Sequence, residues 1–197
     1  MSFIRRFIET QTSSSACPER RRFLGYMAGA AALPLIGLPE LAEAAAKANS
    51  RMLAFKHLHT GESMTVVYKV GHDFVPQSLR RLSYLLRDFR TGDKHHMDTK
   101  LYDLLWRLNQ DVNSHNPYEI ISAYRSPKTN QALRNRNAHS GVAQRSLHLE
   151  GAALDVRLAD VRLADLRDAA LDLKAGGVGY YPESGFIHVD TGRVRRW

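Results

Sequence analysis

With 197 residues, 28 Lys and Arg against 20 Asp and Glu, and a formal net charge of +8, the chain has room for one domain with a real core and not comfortably two. The positive excess favours polyanions in general, whether nucleic acid, anionic lipid or acidic wall polymer, and so does not choose between them. A single cysteine, Cys17, excludes a disulfide framework and a multi-thiolate metal site.

The N-terminal stretch "ERRRFLGYMAGAAALPLIGLPELAEAAAKA" places Arg20 and Arg21 one residue ahead of Phe23 and Leu24, and an apolar run of Ala, Leu, Gly and Ile follows. Pro34 and Pro39 interrupt the run, and "AEAAA" supplies small residues suited to cleavage after Ala44. This resembles a twin-arginine export signal over residues 1–44, which implies passage through the twin-arginine translocase to the periplasm. Phe23 to Leu38 is short and rich in Gly and Ala for a membrane span, so none is expected after processing. Cys17 precedes the apolar run, whereas a lipidated cysteine would follow it. The expected mature chain, residues 45–197, then has no thiol, and any metal must be held by His, Asp or Glu.

Residues 52–70 read as two strands around the turn signal "HTGES", with Leu53, Phe55 and His57 on one side. "VPQSLRRLSYLLRDFRTG" carries Leu79, Leu82, Leu85 and Leu86 at helical spacing, with Gly92 as a stop. "MDTKLYDLLWRLNQDV" predicts a second amphipathic helix, capped at Asp98 and apolar at Leu101, Leu104, Leu105 and Leu108. A short strand "YEIISAYRS", a helix from Pro127 and a further helix "LADLRDAALDLK" follow. The chain closes on "GGVGYYPESGFIHVDTG", two short strands joined by "PESG". Strands and helices mixed in this way, with a hairpin near the end, predict an α+β single domain with a small antiparallel sheet and flanking helices, not a doubly wound parallel sheet.

Within that frame His148 opens a turn that Gly151 permits, Asp155 lies on the strand "AALDV" leaving it, and His188 and Asp190 share one face of the last strand. Two imidazoles and a carboxylate with an open fourth position suit a zinc site for hydrolysis. Spacing alone does not establish one.

Ser146, His148, Gly151, Ala153 and Asp155 match the pattern SxHxxGxAxD, and "FIHVD" is similar to the second metal motif of the same family, the M15-type zinc D,D-peptidases. "AYRSPKTN", "SLHLEGAALDVRL" and "GGVGYYPESGFIHVDTGRVRRW" together resemble its YcbK-like (DUF882) branch of murein endopeptidases over roughly residues 52–197. The resemblance implies a hedgehog-like α+β fold, one zinc ion held by His148, Asp155 and His188, and cleavage of peptide cross-links in peptidoglycan, by endopeptidase or carboxypeptidase action on its peptide stems. It also implies that Arg125 faces substrate, where a guanidinium steadies a developing oxyanion or grips a carboxylate. Ser146 is assigned to orienting a loop or a ligand, or to contacting substrate, and Tyr181, with Tyr180, to lining the cleft or packing in the core.

One position departs from the pattern: many M15 peptidases carry an acidic residue three places before the last histidine, and here that place is Gly185. Asp190 is then the favoured general base and Glu183 the other candidate, with histidine orientation as the alternative role of Asp190. His139 is a loop histidine with a possible substrate contact, and the basic tail "RVRRW" either meets anionic wall polymer or packs back through Trp197. A zinc-containing, non-catalytic cell-wall peptide-binding protein of the same fold is the competing function. A nucleic-acid binder is disfavoured, because basic and aromatic residues are not interleaved and the export signal argues against access.

Overall fold

The computed structural model describes residues 49–136 and 142–197. The leader readings and His139 lie outside them. Alternation of Leu53, Phe55 and His57 with more exposed neighbours makes β1 (Ser50–His57), which pairs antiparallel with β2 (Ser63–Val70) across the expected turn. A two-residue strand β3 (Asp73–Phe74) adds to the edge of β2. The apolar stripe of α1 (Pro76–Leu85) packs on β2, and that of α2 (Thr99–Val112), with Leu101, Leu104, Leu105 and Leu108 buried, packs on β1.

The remaining elements are β4 (Tyr118–Ser122), α3 (Pro127–Arg134), a 3₁₀ turn (Leu147–Glu150), β5 (Ala153–Arg157), α4 (Leu163–Asp172), β6 (Gly177–Tyr181), β7 (Phe186–Asp190) and β8 (Arg195–Arg196). They join the N-terminal hairpin in one sheet of order β3-β2-β1-β4-β5-β7-β6-β8. The α+β class stands, but the sheet is neither small nor purely antiparallel. Parallel pairing of β1 with β4, at Phe55 opposite Tyr118, fuses the hairpin to the C-terminal strands, and β8 runs parallel to β6. Both pairings are long-range, and local alternation carries no sign of them.

Two boundaries also move. The first helix ends at Leu85, well before Gly92. Fully buried Asp88 accepts hydrogen bonds from the Arg90 amide and from the amide and hydroxyl of Ser126, so the chain leaves the helix to make tertiary bonds. The tail "RVRRW" contributes β8 and ladder bonds between Trp197 and both Val178 and Tyr180. Asp98 caps α2 as expected, accepting from the Lys100 amide at 3.0 Å, and also accepts from the Thr191 hydroxyl at 2.6 Å. No helix among the described residues is long and apolar enough to cross a membrane.

Candidate metal centre

β5 and β7 occupy the interior of the sheet and run antiparallel with Asp155 directly opposite His188. Directly opposed side chains on one sheet face lie within reach of each other, so the register alone brings a carboxylate and an imidazole together. His148 is delivered from the other side by the 3₁₀ turn. Ser146 caps this turn, its hydroxyl accepting from the His148 amide at 3.4 Å, and Gly151 closes it at φ +66°. A Cβ on Gly151 would stand 2.4 Å from the carbonyl oxygen of His96, so the motif glycine serves both a left-handed turn and a close approach.

His148 Nε2, His188 Nδ1 and Asp155 Oδ1 converge at 3.2, 2.9 and 3.2 Å from one another. Ligand atoms about 2.0–2.1 Å from a tetrahedral zinc are separated by about 3.3 Å. The outer nitrogens decide the protonation. His148 Nδ1 is 2.7 Å from the Ala123 carbonyl, which can only accept, so the proton of a neutral ring is on Nδ1. His188 Nε2 is 3.0 Å from Asp190 Oδ2 and donates to it. With both rings neutral, three lone pairs face one another with no proton between them, an arrangement that a cation resolves. The donor set therefore fits zinc: two nitrogens and one oxygen, buried, with a cavity beside them for a fourth ligand.

Without a cation the cluster can instead take up a proton between its ligand atoms, and the titration of these groups describes that protonated case. Burial lowers His148, beyond what the attraction of Asp155 restores. Burial would raise Asp155, but the charge and hydrogen bonds of His148 and His188 outweigh it and hold the carboxyl well below its usual range. His188 is pulled down by burial, yet its bonds to Asp155 and Asp190 carry it above the ordinary imidazole value.

Asp190 is fully buried and lies against the nitrogen of His188 turned away from the cluster. Its two oxygens also accept from the amides of Gly177 and Gly192, both at 2.9 Å, and from the Arg195 guanidinium at 3.1 and 2.7 Å. These bonds hold it well below the carboxylate range against the upward push of burial. This placement favours orientation of His188 over proton transfer at the cavity. Glu183 is exposed in the turn between β6 and β7, and it too is absent from the cavity wall.

The cavity, of about 440 Å³, is lined by the three cluster residues together with Arg125, Ser146, Tyr181 and Trp197 among others. Arg125 is buried. Its Nη2 makes only long contacts, 3.4 Å to both Asp155 Oδ2 and Ser122 Oγ, and its Nε has no partner among the described residues. Burial lowers its pKa, partly offset by Asp155. Its backbone amide donates to the His148 carbonyl, and the neighbouring Ser126 is fixed by Asp88. Tyr181 stacks on Phe186 at 4.8 Å and accepts the indole N–H of Trp197 at 2.7 Å. Tyr180, by contrast, lies under Arg167, away from the cluster's cavity.

Asp88, Arg195 and Trp197 are contributors that sequence reasoning did not assign to the site. Gly179 opposes His188 across β6 and β7, and a Cβ there would meet the indole of Trp197 at 2.7 Å. The glycine in "GGVGYY" therefore marks the seat of the tryptophan, whose ring lies 5.2 Å from that of His188.

The model of a family described as peptidoglycan L,D-endopeptidase MepK matches residues 44–197. The chain belongs to this MepK family of M15-type peptidases. It is 39% identical over 181 residues to peptidoglycan L,D-endopeptidase MepK of Escherichia coli strain K12, covering 90% of this chain and 96% of the relative. A probable peptidoglycan L,D-endopeptidase MepK from Haemophilus influenzae is 41% identical over 148 residues, 75% of this chain and 78% of that one. No solved structure matches. The MepK match embraces every cluster and cavity residue described above.

Proposed function

We propose that the chain is a zinc-dependent endopeptidase that cuts peptide cross-links of peptidoglycan, and that it acts on the L,D type named in its MepK relatives. The observation that carries this reading is the convergence of His148 Nε2, His188 Nδ1 and Asp155 Oδ1 beside an open cavity, in a chain of that family. Zinc bound there would supply a Lewis acid for the scissile carbonyl and for water.

The chain's own residues supply the rest. The Ala123 carbonyl and Asp190 keep the lone pairs of His148 and His188 turned into the cluster. Arg125, which lines the cavity and whose Nη2 makes only 3.4 Å contacts, holds an oxygen of the substrate, either the carbonyl that gains charge or a carboxylate. Ser146 acts on the turn that presents His148, and Tyr181 forms part of the wall. In this reading Asp190 is a positioning residue. Export by the twin-arginine route and work in the periplasm belong to the same proposal, since the substrate is extracytoplasmic.

Incubation of the zinc-loaded chain with defined dimeric muropeptides carrying either an L,D or a D,D cross-link, with products resolved by mass spectrometry, tests it. Monomers released from the L,D dimer, and their loss on chelation, are expected. Zinc-dependent binding with neither dimer cut would instead support the non-catalytic cell-wall binder.

A further inference from the structure

Trp197 is half-exposed, yet held from several directions. Its backbone pairs with Val178 and Tyr180, its indole N–H is bonded to Tyr181, Arg195 covers the ring at 4.8 Å, and Gly179 leaves the space beneath it. A large aromatic surface fixed before binding loses little conformational freedom when a ligand covers it.

Its location gives that surface a use. The indole forms part of the wall of the cluster's cavity and also of a second hollow of about 440 Å³, lined by Arg167, Tyr180 and Arg196 with Leu171 and Val178. Arg167 stacks over Tyr180 at 4.5 Å and pairs with Asp168, which also lines the hollow. Arg196 is exposed and has no ion-pair partner among the described residues. With two arginines against one aspartate the second hollow keeps a net positive charge beside apolar side chains, and Trp197 is shared between it and the cluster's cavity.

We propose that this hollow is a subsite for one of the two peptide arms of a cross-linked substrate, an arm carrying a carboxylate, which crosses Trp197 and places its anion near Arg196 and Arg167. The inference rests on the endopeptidase reading above. A cross-linked peptide leaves the scissile bond in two directions, and the second hollow, which shares Trp197 with the cluster's cavity, offers a place for one of them. Binding energy gained at the remote hollow then favours substrates with both arms complete over those with one.

Two substrates with the same scissile bond test this: a dimer with both arms intact, and the same dimer trimmed on one side or the other back to the cross-linked residue. For the wild-type chain, kcat/KM on the intact dimer should exceed that on one of the two trimmed forms by roughly 10-fold or more, the scale on which a remote contact is lost. In the R167A/R196A chain that ratio should fall to within about twofold of one, and Trp197→Ala should lower it in the same direction. Because each chain supplies its own ratio, incomplete metal loading does not imitate the result. Equal efficiency on intact and both trimmed dimers, or a ratio that the double substitution leaves in place, overturns the subsite alone. Failure of the wild-type chain to cut any of these dimers overturns the endopeptidase reading and the subsite with it.

Discussion

His188 and Asp190, two residues apart on β7, are joined at 3.0 Å through the imidazole nitrogen that faces away from the His148, Asp155 and His188 cluster. The carboxylate thus fixes which nitrogen carries the proton and which carries the lone pair. Asp190→Asn and Asp190→Ala should therefore weaken zinc by about 10- to 100-fold, and excess zinc should restore most of the turnover. Isothermal titration and activity against zinc concentration check this. A chain that keeps its zinc and stays about 100-fold slower at saturating metal would instead return Asp190 to the role of general base.

Loss of any one cluster residue removes a ligand from a set of three. His148→Ala, Asp155→Ala and His188→Ala should each purify with far less than one zinc per chain, and muropeptide cleavage should fall with the metal. Plasma emission analysis beside activity measures both. Full zinc content in all three variants would mean that the metal lies elsewhere.

Arg125 lines the cavity, approaches Asp155 only at 3.4 Å, and has a buried Nε without a partner among the described residues. Arg125→Lys retains the charge and loses the planar fork, so it should retain zinc while turnover falls by roughly 100-fold, the scale for a lost oxyanion donor. If KM alone rises, the guanidinium grips a ground-state carboxylate instead.

His57 gives a pH dependence that is independent of the metal. Its side chain is fully buried against Phe89, Nδ1 accepts from the His59 amide at 3.2 Å, and Nε2 has no partner among the described residues. Burial, with a smaller push from His59, lowers its pKa to about 4. The unfolded chain binds this proton near the ordinary value of about 6.5 and the folded chain does not, so stability is intact above that pH and falls as pH drops from about 6.5 to 4. The loss is on the order of 3 kcal/mol. Urea denaturation across this range should show it, and His57→Leu should flatten the profile. An unchanged profile in that variant would assign the acid sensitivity to other groups.

For the leader, Lys at both Arg20 and Arg21 should leave a precursor retaining residues 1–44 in the cytoplasm. Immunoblotting of cell fractions checks this, and normal processing in a strain without the twin-arginine translocase would mean another export route.

The cluster was legible because its parts are local. His148, Gly151 and Asp155 lie in one short motif, and strand periodicity places His188 and Asp190 on a common face. Periodicity does not say which nitrogen of His188 a neighbour meets, and that distinction separates a proton acceptor from an orienting residue. Asp88 was hidden because its partner Ser126 lies 38 residues away, and the helix pattern around it continues past the point where those bonds end the helix. In the sequence Trp197 is only the end of a basic tail. The empty face of Gly179 that receives it is visible as a glycine in the sequence, but the pairing of β8 with β6 is not.

If the cluster takes zinc as proposed, the register of Asp155 against His188 governs how the metal is acquired. Backbone ladder bonds and a capped turn, not the ion, set the spacing of the ligand atoms. Small zinc domains fold only when the metal arrives, whereas here a buried apolar core is assembled from other residues. Chelation should leave a folded, empty chain, and zinc uptake should be a single bimolecular step without a refolding phase. On the zinc-dependent reading proposed above, such a hydrolase would be held inactive by metal scarcity and switched on by its return, with no need to make new protein.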